Sequence, residues 1–84
     1  MLIFAIDDEI FIHARNIILD GKIQVLDYKG EEVKSFTMSQ LDYCSFRLDA
    51  PTGKYLVRVS NHSDKVERYV FIKTPRSTGG NGYE

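Results

Sequence analysis

The chain has 84 residues, enough for one small domain and too few for two. Its 11 basic and 12 acidic residues leave a net charge of −1 with no basic block, so neither phosphate neutralisation on nucleic acid nor electrostatic adhesion to a membrane surface has a footing. Cys44 is the only cysteine, which excludes an internal disulfide. Packing alone must hold the domain, and a chain this short buries only ~60–65% of its unfolded surface.

Strand-like runs closed by turn residues recur along the sequence. The opening run, Met1 to Ile6, is too short for a signal-peptide core or a membrane helix and has no basic leader; it is expected to be a first strand. Asp7-Asp8 makes a tight turn into a second strand, Glu9 to Ala14. Asn16 to Gly21 fits either a short edge strand or an anchored loop. Lys22 to Tyr28 is a strand, Lys29-Gly30 its hairpin turn, and Glu31 to Thr37 the returning strand with Val33 as its core contact. Ser39 to Asp42 reads as a loop. Tyr43 to Asp49 alternates with Cys44, Phe46 and Leu48 inward.

Next comes Asp49-Ala50-Pro51-Thr52-Gly53-Lys54-Tyr55. Pro51 fixes φ and Gly53 accepts unusual φ, so the chain can reverse sharply. Tyr55, Val57 and Val59 then point one way, and Leu56, Arg58 and Ser60 the other. Asn61 to Asp64 makes a turn before the last strand, Val66 to Lys73. Pro75 stops that strand, and the glycine-rich remainder has no hydrophobic pattern, so the chain divides into a domain over 1–73 and a flexible tail over 74–84.

No window carries a 3.6-residue period, and Val, Ile, Phe and Tyr dominate the segments. A tyrosine directly after a Pro/Gly turn resembles the tyrosine corner of immunoglobulin-like sandwiches, in which the buried ring bonds backbone across the turn through its hydroxyl. The expected fold is therefore all-β, an immunoglobulin-like antiparallel β-sandwich of about seven short strands.

Chemistry is sparse. His13 and His62 form no ligand-spaced set with Cys44 or a carboxylate cluster, and Asp7-Asp8-Glu9 lacks the alternating spacing of a calcium loop. No nucleophile elbow surrounds any serine, and Gly79-Gly80-Asn81-Gly82 has no strand leading in and no helix following, so it is not a phosphate loop. Cys44, in a strand pattern, reads as a small buried hydrophobe. No catalytic, cofactor or metal site is expected.

The outer faces carry more. With Tyr55, Val57 and Val59 inside, Leu56 and Arg58 are outside. Equal parity puts Ile23 and Val25 inside with Leu26 and Tyr28 outside, and Val70 and Ile72 inside with Tyr69 and Phe71 outside. In immunoglobulin-like topology these strands share a sheet. Leu26, Tyr28, Leu56, Tyr69 and Phe71, rimmed by Arg58 and Lys73, are then one apolar patch, the expected surface for a protein partner. An open sheet edge offers a second route through strand addition.

From Lys22 onward the order of features resembles the C-terminal sorting domains of the type IX secretion system in Bacteroidetes. Ile23 to Val33 is similar to that family's strand, aspartate, turn glycine and valine. Phe46 to Val59 is similar to its Gly-x-Tyr block, and Val66 to Lys73 to its final lysine-bearing strand. The resemblance implies a seven-stranded sandwich without catalytic residues that serves as a recognition tag for a secretion or attachment machine, at the periplasm or cell surface. The alternative, for a module of this shape that begins at Met1 with no cargo, is an accessory or decoration protein of a larger assembly such as a phage virion, in the cytoplasm and then the particle. In that alternative the tail orders against a neighbouring subunit.

Overall fold

A computed structural model describes residues 1–75. Five antiparallel strands, β1 (Leu2–Ile6), β2 (Glu9–Leu26), β3 (Glu32–Arg47), β4 (Gly53–Ser60) and β5 (Lys65–Ile72), form one curled open sheet. Seven short strands were the sequence expectation. The count falls because the segments expected around Asn16–Gly21 and Ser39–Asp42 are not breaks: they are absorbed into the 18-residue β2 and the 16-residue β3. Ser39 to Asp42 is strand, since the ladder continues through Leu19↔Gln40 and Ile18↔Leu41.

The β2–β3 ladder shifts register in the middle. His13 pairs with Tyr43, and the next pair is Ile18 with Leu41, so residues 14–17 stand against Asp42 alone. Such an excess on one strand bends it and increases its twist. It also changes parity. Ile10, Ile12 and Ala14 are buried before the irregularity; Gly21, Ile23 and Val25 are buried after it. Both halves of β2 therefore aim the same face of the ribbon at one interior. Asp20, beside the bend, takes a φ of 54°, a left-handed conformation that aspartate tolerates better than branched residues.

With β3 along one edge of β2, the other edge pairs with β1 over Glu9–His13 and with β4 over Lys22–Leu26; β5 lies beyond β4. The sheet curls until the Lys73 N–H, just past β5, donates to the Asp7 carbonyl beyond β1 at 2.9 Å. Inside lie Ile10, Ile12, Ile23, Val25, Leu41, Leu48, Tyr55, Val57, Val59, Val70 and Ile72, with no buried polar residue among the described residues. On β3 the inward Phe36, Met38, Cys44 and Phe46 are half-buried. Phe36 and Phe46 meet edge-to-face at 5.0 Å and tie the two halves of that strand together.

The inward assignments of Ile23, Val25, Cys44, Phe46, Leu48, Tyr55, Val57, Val59, Val70 and Ile72 hold. Val33 does not: it is 42% exposed. The pairs Val25↔Lys34 and Leu26↔Glu32 leave it as the extra residue of a second irregularity, and Phe36 and Met38 take the core positions. The turns at Lys29-Gly30 and Asn61–Asp64 form as expected; Gly53 does not, since it takes no positive φ and instead opens β4, paired with Ile72, so the reversal lies ahead of it. Asp27 Oδ1 accepts the N–H groups of Lys29 and Glu31 at 2.8 and 2.9 Å, with Gly30 at φ 82°. Asn61 Oδ1 accepts those of Ser63 and Asp64.

At the corner, Tyr55 is 6% exposed and its hydroxyl donates to the Pro51 carbonyl at 2.5 Å. Thr74, two residues past β5, is fastened to the same corner: its N–H donates to Thr52 Oγ1 at 3.0 Å and its hydroxyl to the Ala50 carbonyl. The rest of the expected tail, 76–84, lies outside the described residues.

Replacing Tyr55 by Phe keeps the ring and removes the donor to Pro51. A lost hydrogen bond of this kind is worth about 1 kcal/mol, and in a domain of this size that lowers the melting temperature by roughly 4–8 °C. Tyr28→Phe, at an 85% exposed position, leaves it unchanged. Thermal melts followed by circular dichroism compare the two.

Candidate protein-interaction faces

The ladders on β4 set out the expected patch in cross-strand rows. Leu26, Leu56 and Tyr69 form one row; Gln24, Arg58 and Glu67 form the next; Lys54 and Phe71 flank the other side. Leu26 and Leu56 are half-buried, while Tyr69 and Phe71 are 67% and 62% exposed. Tyr28 sits in the β2–β3 turn and joins Leu26, Lys54, Leu56, Arg58 and Tyr69 around a shallow open depression. The structure thus brings Leu26, Tyr28, Leu56, Arg58, Tyr69 and Phe71 to one face. Lys73 lies at its margin, past the end of β5.

Charge on this face is partly neutralised. Arg58 Nε donates to Glu67 Oε2 at 2.7 Å across the β4–β5 ladder, with both side chains about one-third exposed. That bond, chiefly, holds the Glu67 carboxyl below its ordinary value of 4.5, against a smaller opposing effect of burial. Gln24 Nε2 donates to Glu32 Oε1 at 3.0 Å, and this bond leads the causes that lower the Glu32 carboxyl. Lys54 Nζ stands 4.6 Å from the Tyr69 ring centroid, a cation over an aromatic face.

No protein-family profile, no curated protein and no solved structure matches this chain.

A second apolar face, not singled out by the sequence reading, lies on the outside of β1 and the first half of β2. Its rows are Leu2–His13–Tyr43, Phe4–Phe11–Ser45 and Ile6–Glu9–Arg47. Leu2, Ile6 and Tyr43 are more than half exposed and Phe4 is 43% exposed. Phe4 stacks on Phe11 at 5.1 Å, and His13 meets Tyr43 edge-on at 6.0 Å. Arg47 Nη1 binds Asp8 at 3.0 Å. The available signal was the unbroken apolar run Leu2 to Ile6: Ile3 and Ala5 pack on the core, which leaves Leu2, Phe4 and Ile6 outside.

Among the described residues, no three His, Cys, Asp or Glu side chains gather as a metal-holding group, and no helix is long and apolar enough to cross a membrane. Cys44 is half-buried, and burial pushes its thiol up, away from the reactive thiolate.

The Arg58–Glu67 bond makes stability depend on pH. The folded carboxyl is more acidic than the unfolded one, so the ionised form favours the fold. Its contribution is full above 4.5 and disappears as the pH falls through the lower folded value. Melting temperatures measured from neutral to acidic pH fall more steeply for the natural chain than for Glu67→Gln.

Proposed function

We propose that this chain is a non-catalytic protein-interaction module that docks through the outer face of the β2–β4–β5 ladder. One observation carries the reading: cross-strand registers set the half-buried Leu26 and Leu56 beside the exposed Tyr69 and Phe71, with exposed Tyr28 next to them and Arg58 at the rim. Exposed aromatic and aliphatic side chains beside an arginine are the composition of protein interfaces. In the finer reading the bend in the middle of the long hairpin splits both of its strands, giving the seven segments of an immunoglobulin-like sandwich. The Tyr55–Pro51 bond supports that reading.

The role proposed is that of a sorting or anchoring tag similar to type IX secretion C-terminal domains, recognised by a transport or attachment machine through this patch. The second apolar face favours another reading, an accessory component of a larger assembly such as a virion, because a subunit with neighbours on two sides needs two docking surfaces.

An exported reporter fused ahead of residues 1–84, expressed in a bacterium with type IX machinery, separates the roles. A tag places the reporter on the cell surface, and Phe71→Lys abolishes that display without changing the melt of the purified domain. Reporter retained in the periplasm rejects the sorting role. A Phe71→Lys chain that unfolds places that ring in the core and rejects the patch.

A further inference from the structure

The face of β1, β2 and β3 carries complementary chemistry at its two ends. At one end lie Leu2, His13 and Tyr43; at the other lie Ile6, Glu9 and Arg47; Phe4, Phe11 and Ser45 occupy the middle. We propose that this face is a self-docking surface, on which two copies of the chain pack about a two-fold axis running along the middle row.

The axis lies between the two sheets, perpendicular to the strands. Rotation about it sets each copy's end row over the other end row of its neighbour. Leu2 then covers Ile6 of the second copy, His13 meets Glu9, and the Tyr43 ring covers Arg47; Phe4 and Phe11 meet their own counterparts. Leu2, Ile6, Phe4 and Phe11 each find an apolar group, the Glu9 carboxylate finds an imidazole, and the Arg47 guanidinium, bound to Asp8 of its own copy, finds an aromatic face. The strands of the two copies run close to antiparallel, within the range of aligned sheet packing at a spacing of about 10 Å. The interface is isologous and closes at two copies.

Area argues the same way. Leu2 is 61% exposed, Phe4 43%, Ile6 59% and Tyr43 53%. Side chains of this kind present roughly 150–250 Å² each when fully open, so the four together show about 400–500 Å², the size of the largest apolar patch of a typical monomer, which is often functional. A two-fold pair that covers them completely buries roughly 800–1,000 Å² from these side chains alone, approaching the roughly 1,000 Å² that a specific interface clears. The β2–β4–β5 face does not suit itself in this way: a two-fold axis along its Leu26–Leu56–Tyr69 row sets Lys54 against Arg58 of the second copy and opposes like charges.

Sedimentation equilibrium of the full chain at micromolar concentrations tests the proposal. The natural chain sediments at twice its 9.7 kDa mass. Ile6→Glu, at an exposed position, is monomeric and folded, with a melt that no longer depends on concentration, and Phe4→Glu is the second disrupting variant. Phe71→Lys on the opposite face stays dimeric, so failure here is distinct from failure of the docking patch. Glu9→Lys weakens the dimer at least about tenfold, and adding His13→Glu restores it because the two positions face each other across the axis. A monomeric natural chain overturns the proposal. So does a dimer that survives both Ile6→Glu and Phe4→Glu, one lost with Phe71→Lys, or a double variant that fails to restore association.

Discussion

One register change in β2 holds this structure together. A strand of 18 residues would extend far past any core that 84 residues can fill. The excess of residues 14–17 over Asp42 bends the β2–β3 hairpin and moves the buried positions from even to odd numbers. Without the bend the ribbon is too long; without the change of parity its second half presents Ile23 and Val25 to water. The strand order follows from it. Because β3 occupies one whole edge of β2, β1 and β4 share the other edge end to end, and curling brings β5 back towards β1.

The same bend decides what the outside looks like. Each half of the hairpin, with the strands beside it, turns its inner face to the common core and its outer face to solvent. The molecule thus has two broad outer faces instead of one, and both carry large apolar side chains. They differ in charge. Arg58, Lys54 and the Glu67 carboxylate cross the β2–β4–β5 face, while the β1 face is almost neutral between its Glu9 and His13 ends. The corner at Tyr55 anchors one side of this arrangement through the Pro51 carbonyl. Thr74, just past β5, closes the same loop through Thr52.

Much of this was legible in the sequence wherever period-two alternation was clean and one residue anchored its phase. Tyr55 set the parity of β4, and Val57, Val59, Ile23, Val25, Val70 and Ile72 followed. The outer positions Leu26, Leu56, Tyr69 and Phe71 came from the same phase, and the ladders align them. Alternation fails at irregularities, which have no compositional signature here. Unbroken alternation over Glu31 to Thr37 puts Val33 inside, and the irregularity between Lys34 and Glu32 turns it out. Ser39 to Asp42 looked like a loop because the segment is polar, although an edge strand needs only Leu41 inward at this point. The β1 face escaped notice for the opposite reason: Leu2 to Ile6 is apolar on both sides and shows no alternation to read.

The outer edge of β3 is unpaired along its length among the described residues. An open edge of 16 residues containing Val33, Phe36, Met38, Tyr43 and Phe46 would ordinarily template the addition of further chains and the growth of a cross-β fibre. Fibre growth requires a flat, straight edge with a repeatable register. The bend at Asp42 breaks the edge into two directions, and Glu32, Lys34, Asp42 and Arg47 set charges along it. The irregularity that folds the hairpin over its core therefore also guards the chain against amyloid.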